Sequence, residues 1–454
     1  MLAIVLVYRL LRRFLRLVAE IFFRQIEVVG LEHVPAEGEG AVLFAGNHPN
    51  SLIDPVLIIA YSGRIVHFAA KDVLFRSRLL RLLLHGLGAV PVARRADHGE
   101  GASNEQAFAA LHRVLGEGRA MGIFPEGLSH DEAHLARLKT GAARIALGAC
   151  GEQQGLVVQI VPSGLTYIRR KHFRGRVLLQ FGPPIVVDEV RVSAWRESDR
   201  SAVRDLTNAI ETAIRALTIN ADDWSTLRVL DGVRRLYQPA GIRIEERVEL
   251  ARRFASVYPS VKDAAEVREL FTRVACYQAR LDEAGLTDRE LSRPEALRDA
   301  FPRLARHLAL ALLWVPLALP GLVIHTPIAL LALFAGRTLT PRKDVLATTK
   351  LIAGVLGSLA LYSALLFFSA IGFGGPGLVA ALLLLPLTGF ATLQVFDRFA
   401  AVRTWGRTFL RLLRMGDEVV ALRAERSALE SEVVRAVDRY RPEDMVPLFP
   451  RVSP

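Results

Sequence analysis

The spacing of apolar residues changes character several times along the chain. In residues 1–24, Leu2, Ile4, Val5, Leu6, Leu10, Leu11, Phe14, Leu15 and Val18 recur at helical intervals with Arg9, Arg12, Arg13 and Arg16 between them. That pattern predicts an amphipathic helix lying at an interface, its arginines reaching lipid phosphates. A helix simply docked on the next domain is the other reading. The apolar block precedes the arginines, the reverse of a cleavable signal.

From residue 25 the period switches between two and 3.6. Short apolar runs predict strands at Ile26–Val29, Ala41–Ala45, Val66–Ala69, Ala89–Ala93, Ala120–Phe124, Val157–Leu165 and Val177–Phe181. Between them, helical spacing marks Pro55–Tyr61, Phe75–Leu84, Ser103–Gly116 and Lys139–Ala149, and an amphipathic helix follows at Ser201–Thr218. Strand and helix in alternation predict an α/β domain over residues 25–235, a mostly parallel sheet covered by helices. Residues 236–306 read as a charged helical linker region.

Residues 307–396 are different in kind. Leu308–Phe334 and Leu351–Phe396 contain no Asp, Glu, Lys or Arg, and a Gly-rich turn, Gly372 to Gly377, breaks the second run. A membrane span needs about 20 residues, so spans are expected at 351–370 and 378–396. The flanks of this hairpin are basic: Arg337, Arg342, Lys343 and Lys350 before it, Arg398 to Arg414 after it. The positive-inside rule places both flanks in the cytoplasm and the turn outside; the α/β domain is expected in the cytoplasm as well. Leu308–Phe334 then starts and ends on one side. A re-entrant, bent helical pair dipping into the cytoplasmic leaflet is expected there, broken near Pro316, Pro320, Gly321 and Pro327, with His325 near its deepest turn or facing the α/β domain. One tilted span is the alternative. Residues 397–454 read as a basic stretch and then a charged helical tail.

Composition supports a membrane setting. Of 454 residues 51% are apolar, mean hydropathy is +0.28, and the net charge of +12 gives a pI near 10.2. Basic residues are not interleaved with stacking aromatics, so nucleic acid is not the expected partner. Anionic membrane lipid and phosphate-bearing molecules are. Cys150 and Cys276 make neither a disulfide framework nor a metal site, and no metal or organic cofactor is expected.

Two runs carry candidate chemistry, each just after a predicted strand. Asn47-His48-Pro49-Asn50-Ser51-Leu52-Ile53-Asp54 supplies a histidine and a carboxylate. Histidine is a base near neutral pH, and a carboxylate on its other nitrogen fixes the tautomer. A six-residue step leaves the two side chains about 120° apart on a helix, so the segment must bend. The plain reading is a loop histidine with Asp54 starting a helix. Ser51 lacks the glycine-flanked elbow of a hydrolase nucleophile, though a phospholipid hydrolase would need it. Phe124-Pro125-Glu126-Gly127 adds a second carboxylate on a turn. Arg94 and Arg95 end another strand, and arginine forks bind phosphate. Lys139 opens a helix, a phosphate-friendly corner. Alone, each of these is also an ordinary surface feature.

In order, these runs resemble the glycerolipid acyltransferase family. Its first block is His-x4-Asp. Here five residues separate His48 from Asp54, as in a fungal-type glycerol-3-phosphate/dihydroxyacetone-phosphate acyltransferase subgroup. Phe124 to Leu147, with Ser129-His130-Asp131, also looks like that subgroup. The second block appears as Gly88 to Arg94 and the fourth as Ile160 to Gly164. The resemblance implies that His48, oriented by Asp54, is the general base. It would act on a hydroxyl that attacks the thioester of acyl-CoA or acyl-carrier protein. Arg94 would bind the acceptor's phosphate, and Glu126 and Gly127 would line its site. The acceptor is expected to be a phosphorylated glycerol: glycerol-3-phosphate, dihydroxyacetone phosphate or, alternatively, lysophosphatidate. A non-catalytic membrane lipid-binding protein is the reading from another class.

Overall fold

The computed structural model describes residues 2–92, 105–239, 241–292, 296–340, 342–414 and 416–449. By contacts these form two units. The first contains Met1–Asp223, Arg243–Arg252 and Arg342–Thr348; the second contains Trp224–Ile242, Arg253–Pro341 and Thr349–Pro454.

Helix α1 (Leu2–Phe22) leads into β1 (Phe23–Val29). Then come β2 (Ala41–Gly46), α2 (Ile53–Tyr61), β3 (Val66–Lys71), α3 (Arg78–Gly86) and β4 (Val90–Val92). Next are α4 (Glu105–Gly116), β5 (Ala120–Ile123), α5 (Gly141–Glu152), β6 (Val158–Ile168) and β7 (Gly175–Phe181). The unit closes with β8 (Ile185–Val187), α6 (Glu189–Glu197) and α7 (Asp199–Arg215). The strands make one sheet, ordered β1-β7-β6-β2-β5-β3-β4, with β8 beside β6. All pairs are parallel except β6 with β7 and β6 with β8.

β2 is buried at every position, as expected for a central strand covered on both faces. One layer of the core packs Leu43, Met121 and Ile160 from the sheet against Leu111 and Leu115 of α4, Ile145 of α5, and Leu206 and Ile210 of α7. The predicted strands are present. β8 and α6 are additions that the sequence pattern did not mark, being only 3 and 9 residues long.

The second unit holds α8 (Trp224–Tyr237), the later part of α9 (Ile244–Val261), α10 (Ala265–Ala284), α11 (Asp288–Leu291), α12 (Ala296–Thr338), most of α13 (Leu346–Arg414) and α14 (Gly416–Tyr440). α14 is tied to its neighbours by Arg426–Asp288 at 3.0 Å, Arg273–Glu432 at 2.5 Å and Arg439–Glu266 at 2.6 Å. α12 and α13 are long and apolar enough to cross a membrane, over Leu304–Thr338 and Leu346–Thr404. They give the chain a membrane-associating region. α13 turns back at Gly374, whose φ of 62° is left-handed. Tyr362 on one arm faces Leu385 on the other. Residues 308–334 lie inside the single helix α12 and not in a pair of separate helices. Pro316, Pro320 and Pro327 sit inside it. Each removes one N–H, and a helix flanked by others tolerates that loss.

Candidate active site

β2 and β5 run parallel with Ala45 opposite Ile123. Their chains therefore leave the sheet side by side, bringing 47–54 next to 124–130 at the carboxyl edge, where open α/β sheets take their ligands. Asn47 fixes the exit. Its amide donates to Leu165 O at 3.1 Å and accepts from Leu165 N at 2.7 Å, standing in for the next rung of the β2–β6 ladder.

His48 Nδ1 lies 2.8 Å from Asp54 Oδ2. The six-residue spacing is absorbed at Ser51, a non-glycine residue with φ of 50°. This left-handed residue costs some strain. It turns the chain so that Ile53 N and Asp54 N reach back to Asn50 O and Ser51 O, both at 3.2 Å. α2 starts there, with Asp54 in its first turn, where the helix dipole favours a negative charge.

The Asp54 carboxylate is fully buried and receives three donors: His48 Nδ1, Asn50 N at 2.8 Å and Tyr167 OH at 2.5 Å. With Asp54 the acceptor of all three, Nδ1 is the donor to it and Nε2 carries the lone pair. Burial and the Asp54 charge push the Tyr167 hydroxyl well above its ordinary pKa, which keeps it a donor. The imidazole stacks on Phe124, centroids 4.1 Å apart and planes 5° from parallel. Ring plane and tautomer are both fixed, and among the described residues no group bonds Nε2.

Glu126 is also buried, and the chain itself occupies both its oxygens. His48 N donates to Oε1 at 2.7 Å, Ala136 N donates to Oε2 at 2.8 Å, and His130 Nε2 donates to Oε2. Glu126 thus holds the backbone of His48. In return its hydrogen bond raises the His130 pKa above the usual value. Gly127 closes the turn onto Phe124 O with φ of 77°. A Cβ there would lie 2.5 Å from Lys139 Nζ, so the glycine admits that ammonium over the turn. Lys139 N donates to Pro125 O at 2.8 Å, and its side chain is exposed.

His130 is turned in on Glu126, whereas Ser129 and Asp131 tie the loop to other segments. Ser129 Oγ donates to Asp344 Oδ2 at 2.5 Å and Ser129 O accepts from Arg342 at 2.7 Å. Lys171 Nζ reaches Asp131 at 2.5 Å, Arg170 also pairs with Asp131, and Arg170 donates to Pro49 O at 2.9 Å. Thr348 donates to Asn50 O at 3.2 Å.

His48, Asp54, Glu126, Gly127 and Lys139 are thus gathered at one sheet edge. Arg94 and Arg95 lie outside the described residues. Among the described residues Ser51 makes no side-chain bond to His48. Cys150 is away from the site and inert, its thiol pushed by burial to about 11. Sequence reasoning missed Tyr167, Arg170 and Asp344. Tyr167 follows Ser163 and Leu165 at the two-residue spacing of one strand face. That periodicity is its only signal, because an aromatic on a strand is ordinary.

This geometry can be set beside known proteins. Residues 25–166 match the family described as Acyltransferase, and residues 229–445 match the Glycerol-3-phosphate acyltransferase 2 C-terminal domain. Glycerol-3-phosphate O-acyltransferase 2 of Saccharomyces cerevisiae is 27% identical over 75% of this chain and 62% of its own length. An uncharacterized acyltransferase of Schizosaccharomyces pombe is 25% identical over 97% of this chain and 81% of its own. Glycerol-3-phosphate O-acyltransferase 1 of Saccharomyces cerevisiae is 30% identical over 54% of this chain and 35% of its own. The chain thus spans less than two thirds of the first of these relatives.

Proposed function

We propose that this chain, whose residues 25–166 match the Acyltransferase family and whose residues 229–445 match the Glycerol-3-phosphate acyltransferase 2 C-terminal domain, is an O-acyltransferase of the glycerolipid family. In this reading it moves a fatty acyl group from acyl-CoA or acyl-carrier protein to a hydroxyl of glycerol-3-phosphate or dihydroxyacetone phosphate. The observation that carries the reading is the His48–Asp54 pair with Nε2 unbonded at the carboxyl edge of parallel strands.

His48 Nε2 takes the proton of the acceptor hydroxyl as its oxygen attacks the thioester carbon. The tetrahedral intermediate collapses, the C–S bond breaks, and the imidazolium returns the proton to the leaving thiolate. Asp54 stabilises that imidazolium and Tyr167 holds Asp54 in place. Backbone N–H groups supply the oxyanion contacts. No acyl-enzyme is required, so Ser51 has no covalent role. The acceptor's phosphate is assigned to Arg94, Arg95 and Lys139. Glu126 and Gly127 shape the acceptor site, Glu126 by positioning His48. The α/β domain is assigned to the cytoplasmic side, where acyl donors are made.

The fungal relatives favour glycerol-3-phosphate as acceptor over lysophosphatidate. Purified protein supplied with one acyl-CoA and each of the three acceptors tests this. Transfer to glycerol-3-phosphate or dihydroxyacetone phosphate is expected. Transfer to lysophosphatidate alone would reassign the acceptor. Absence of transfer to any, by folded protein in lipid vesicles, would favour a non-catalytic lipid-binding role.

A further inference from the structure

The segment between the two apolar helices belongs, by contacts, to the first unit. Arg342–Thr348 lies in that unit although the matched C-terminal family domain covers it. It is bonded to the loops of the site: Asp344 to Ser129, Arg342 to Ser129 O, and Thr348 to Asn50 O. The Asp344 carboxylate is pushed up by burial, but the Ser129 and Arg342 bonds outweigh this and hold it below its usual pKa.

The consequence of that placement concerns sidedness. Residues 243–252 are also in the first unit, and among the described residues from 253 to 292 no helix is long and apolar enough to cross a membrane. The chain thus reaches α12 from the face that holds the first unit, and it is back with that unit at Arg342. Only about four residues link Thr338 to Arg342, an extended reach of roughly 14 Å. A hydrocarbon core is about 30 Å thick. If α12 crossed the bilayer once, residues 342–348 could not sit where they do.

The contacts of α12 with the hairpin agree, and they are independent of residues 342–348. Along α12, Gly336 packs on Lys350, Leu331 on Gly357, and His325 Nε2 lies 2.6 Å from Tyr362 OH. These partners approach the Gly374 turn step by step. Further back, the partners lie on the return arm and recede: Gly321 packs on Thr388, and Trp314 meets Phe390 with ring centroids 5.5 Å apart. The nearest approach, at His325, stays about twelve residues or roughly 18 Å short of the turn.

We propose that α12 enters and leaves the bilayer on the face of the α/β unit, penetrating one leaflet with His325 at its deepest point. The hairpin α13 alone crosses. Its occupant is the acyl-chain layer of that leaflet. Leu312, Leu313, Val323 and Phe334 of α12 are each more than 60% exposed on the protein. The proposal rests on the membrane reading of the two helices and not on acyl transfer.

The test uses the full chain in sealed vesicles and a membrane-impermeant maleimide. Native Cys276 is exposed and reports the helical region; Cys150 is buried. With Cys276→Ser as background, Val190→Cys, Leu339→Cys and Gly375→Cys report the first unit, the end of α12 and the hairpin turn. Labelling of 190, 276 and 339 from one side, and of 375 only from the other, is expected. Labelling of 339 from the side of 375 would overturn the proposal. So would labelling of 375 from the side of 190, or release of the chain from the membrane by alkaline carbonate. Each readout is independent of enzymatic turnover, so an inactive chain leaves the test intact.

Discussion

The two edges of the sheet solve the same problem in opposite ways. At the amino edge, Arg64 is buried and donates to Pro35 O, Ala36 O, Gly40 O and Gly118 O. One guanidinium fastens the turns leading into β2 and β5. At the carboxyl edge, Asp54 and Glu126 are buried and each receives three donors. The difference lies in what is left over. Arg64 spends its charge on carbonyls of fixed turns. Asp54 and Glu126 spend theirs on His48, whose second nitrogen is left open. A buried charge becomes machinery when its network ends on a group with a spare lone pair.

The largest effects should separate the edges cleanly. His48→Ala is expected to lower turnover by ~10²–10⁴ in a chain that still folds. Arg64→Ala should do the reverse, costing about 3–4 kcal/mol of stability through stranded carbonyls, with near-normal turnover per folded molecule. Turnover and denaturant melts on both variants would show it. If His48→Ala kept wild-type turnover, or if Arg64→Ala melted like wild type, the contrast would collapse.

A finer probe is Tyr167→Phe. Loss of one bond to a buried carboxylate should reduce kcat about tenfold. It should also loosen the hold of Asp54 on the His48 ring, and so move the acid limb of the kcat/KM profile. A uniform loss with an unmoved limb would make Tyr167 a packing residue only.

The smallest effect should come from His130→Gln. The His130 pKa is raised in the folded chain by Glu126. Its stabilisation is then full below about pH 6.5 and lost as pH rises through the raised value. The gap between wild type and His130→Gln, about 1 kcal/mol at pH 6, should narrow by pH 9. A gap that widens with pH would show that the proton on His130 does not strengthen the pair.

Much of this was legible in advance because strands and uncharged helices announce themselves by period and by length. His48, Asp54 and the Glu126 turn could be singled out because each directly follows an apolar run. How five intervening residues allow a His–Asp bond could not be read. It depends on a left-handed Ser51, a conformation serine rarely declares. Nor could the role of Glu126, which looked like a ligand for substrate and is turned inward by three N–H groups. Arg170 and Asp344 were hidden for a different reason. Their meaning lies in partners that are 121 and 215 residues away, and no local pattern encodes such a pairing.

The root of the hairpin has a kinetic meaning. Ala347 is fully buried, Thr348 bonds the loop of His48, and the uncharged arm begins at Leu351, about one helical turn later. On the proposed reaction the product is a one-tailed amphiphile. Moving its tail into water would cost about 0.8 kcal/mol per methylene, a barrier that grows with every carbon. If the proposed reaction holds, a His48 loop seated on the root of a helix in the membrane would remove that barrier, because the tail need never be wetted. Product departure would then be lateral diffusion within a leaflet, and chain length should leave the release step largely unchanged.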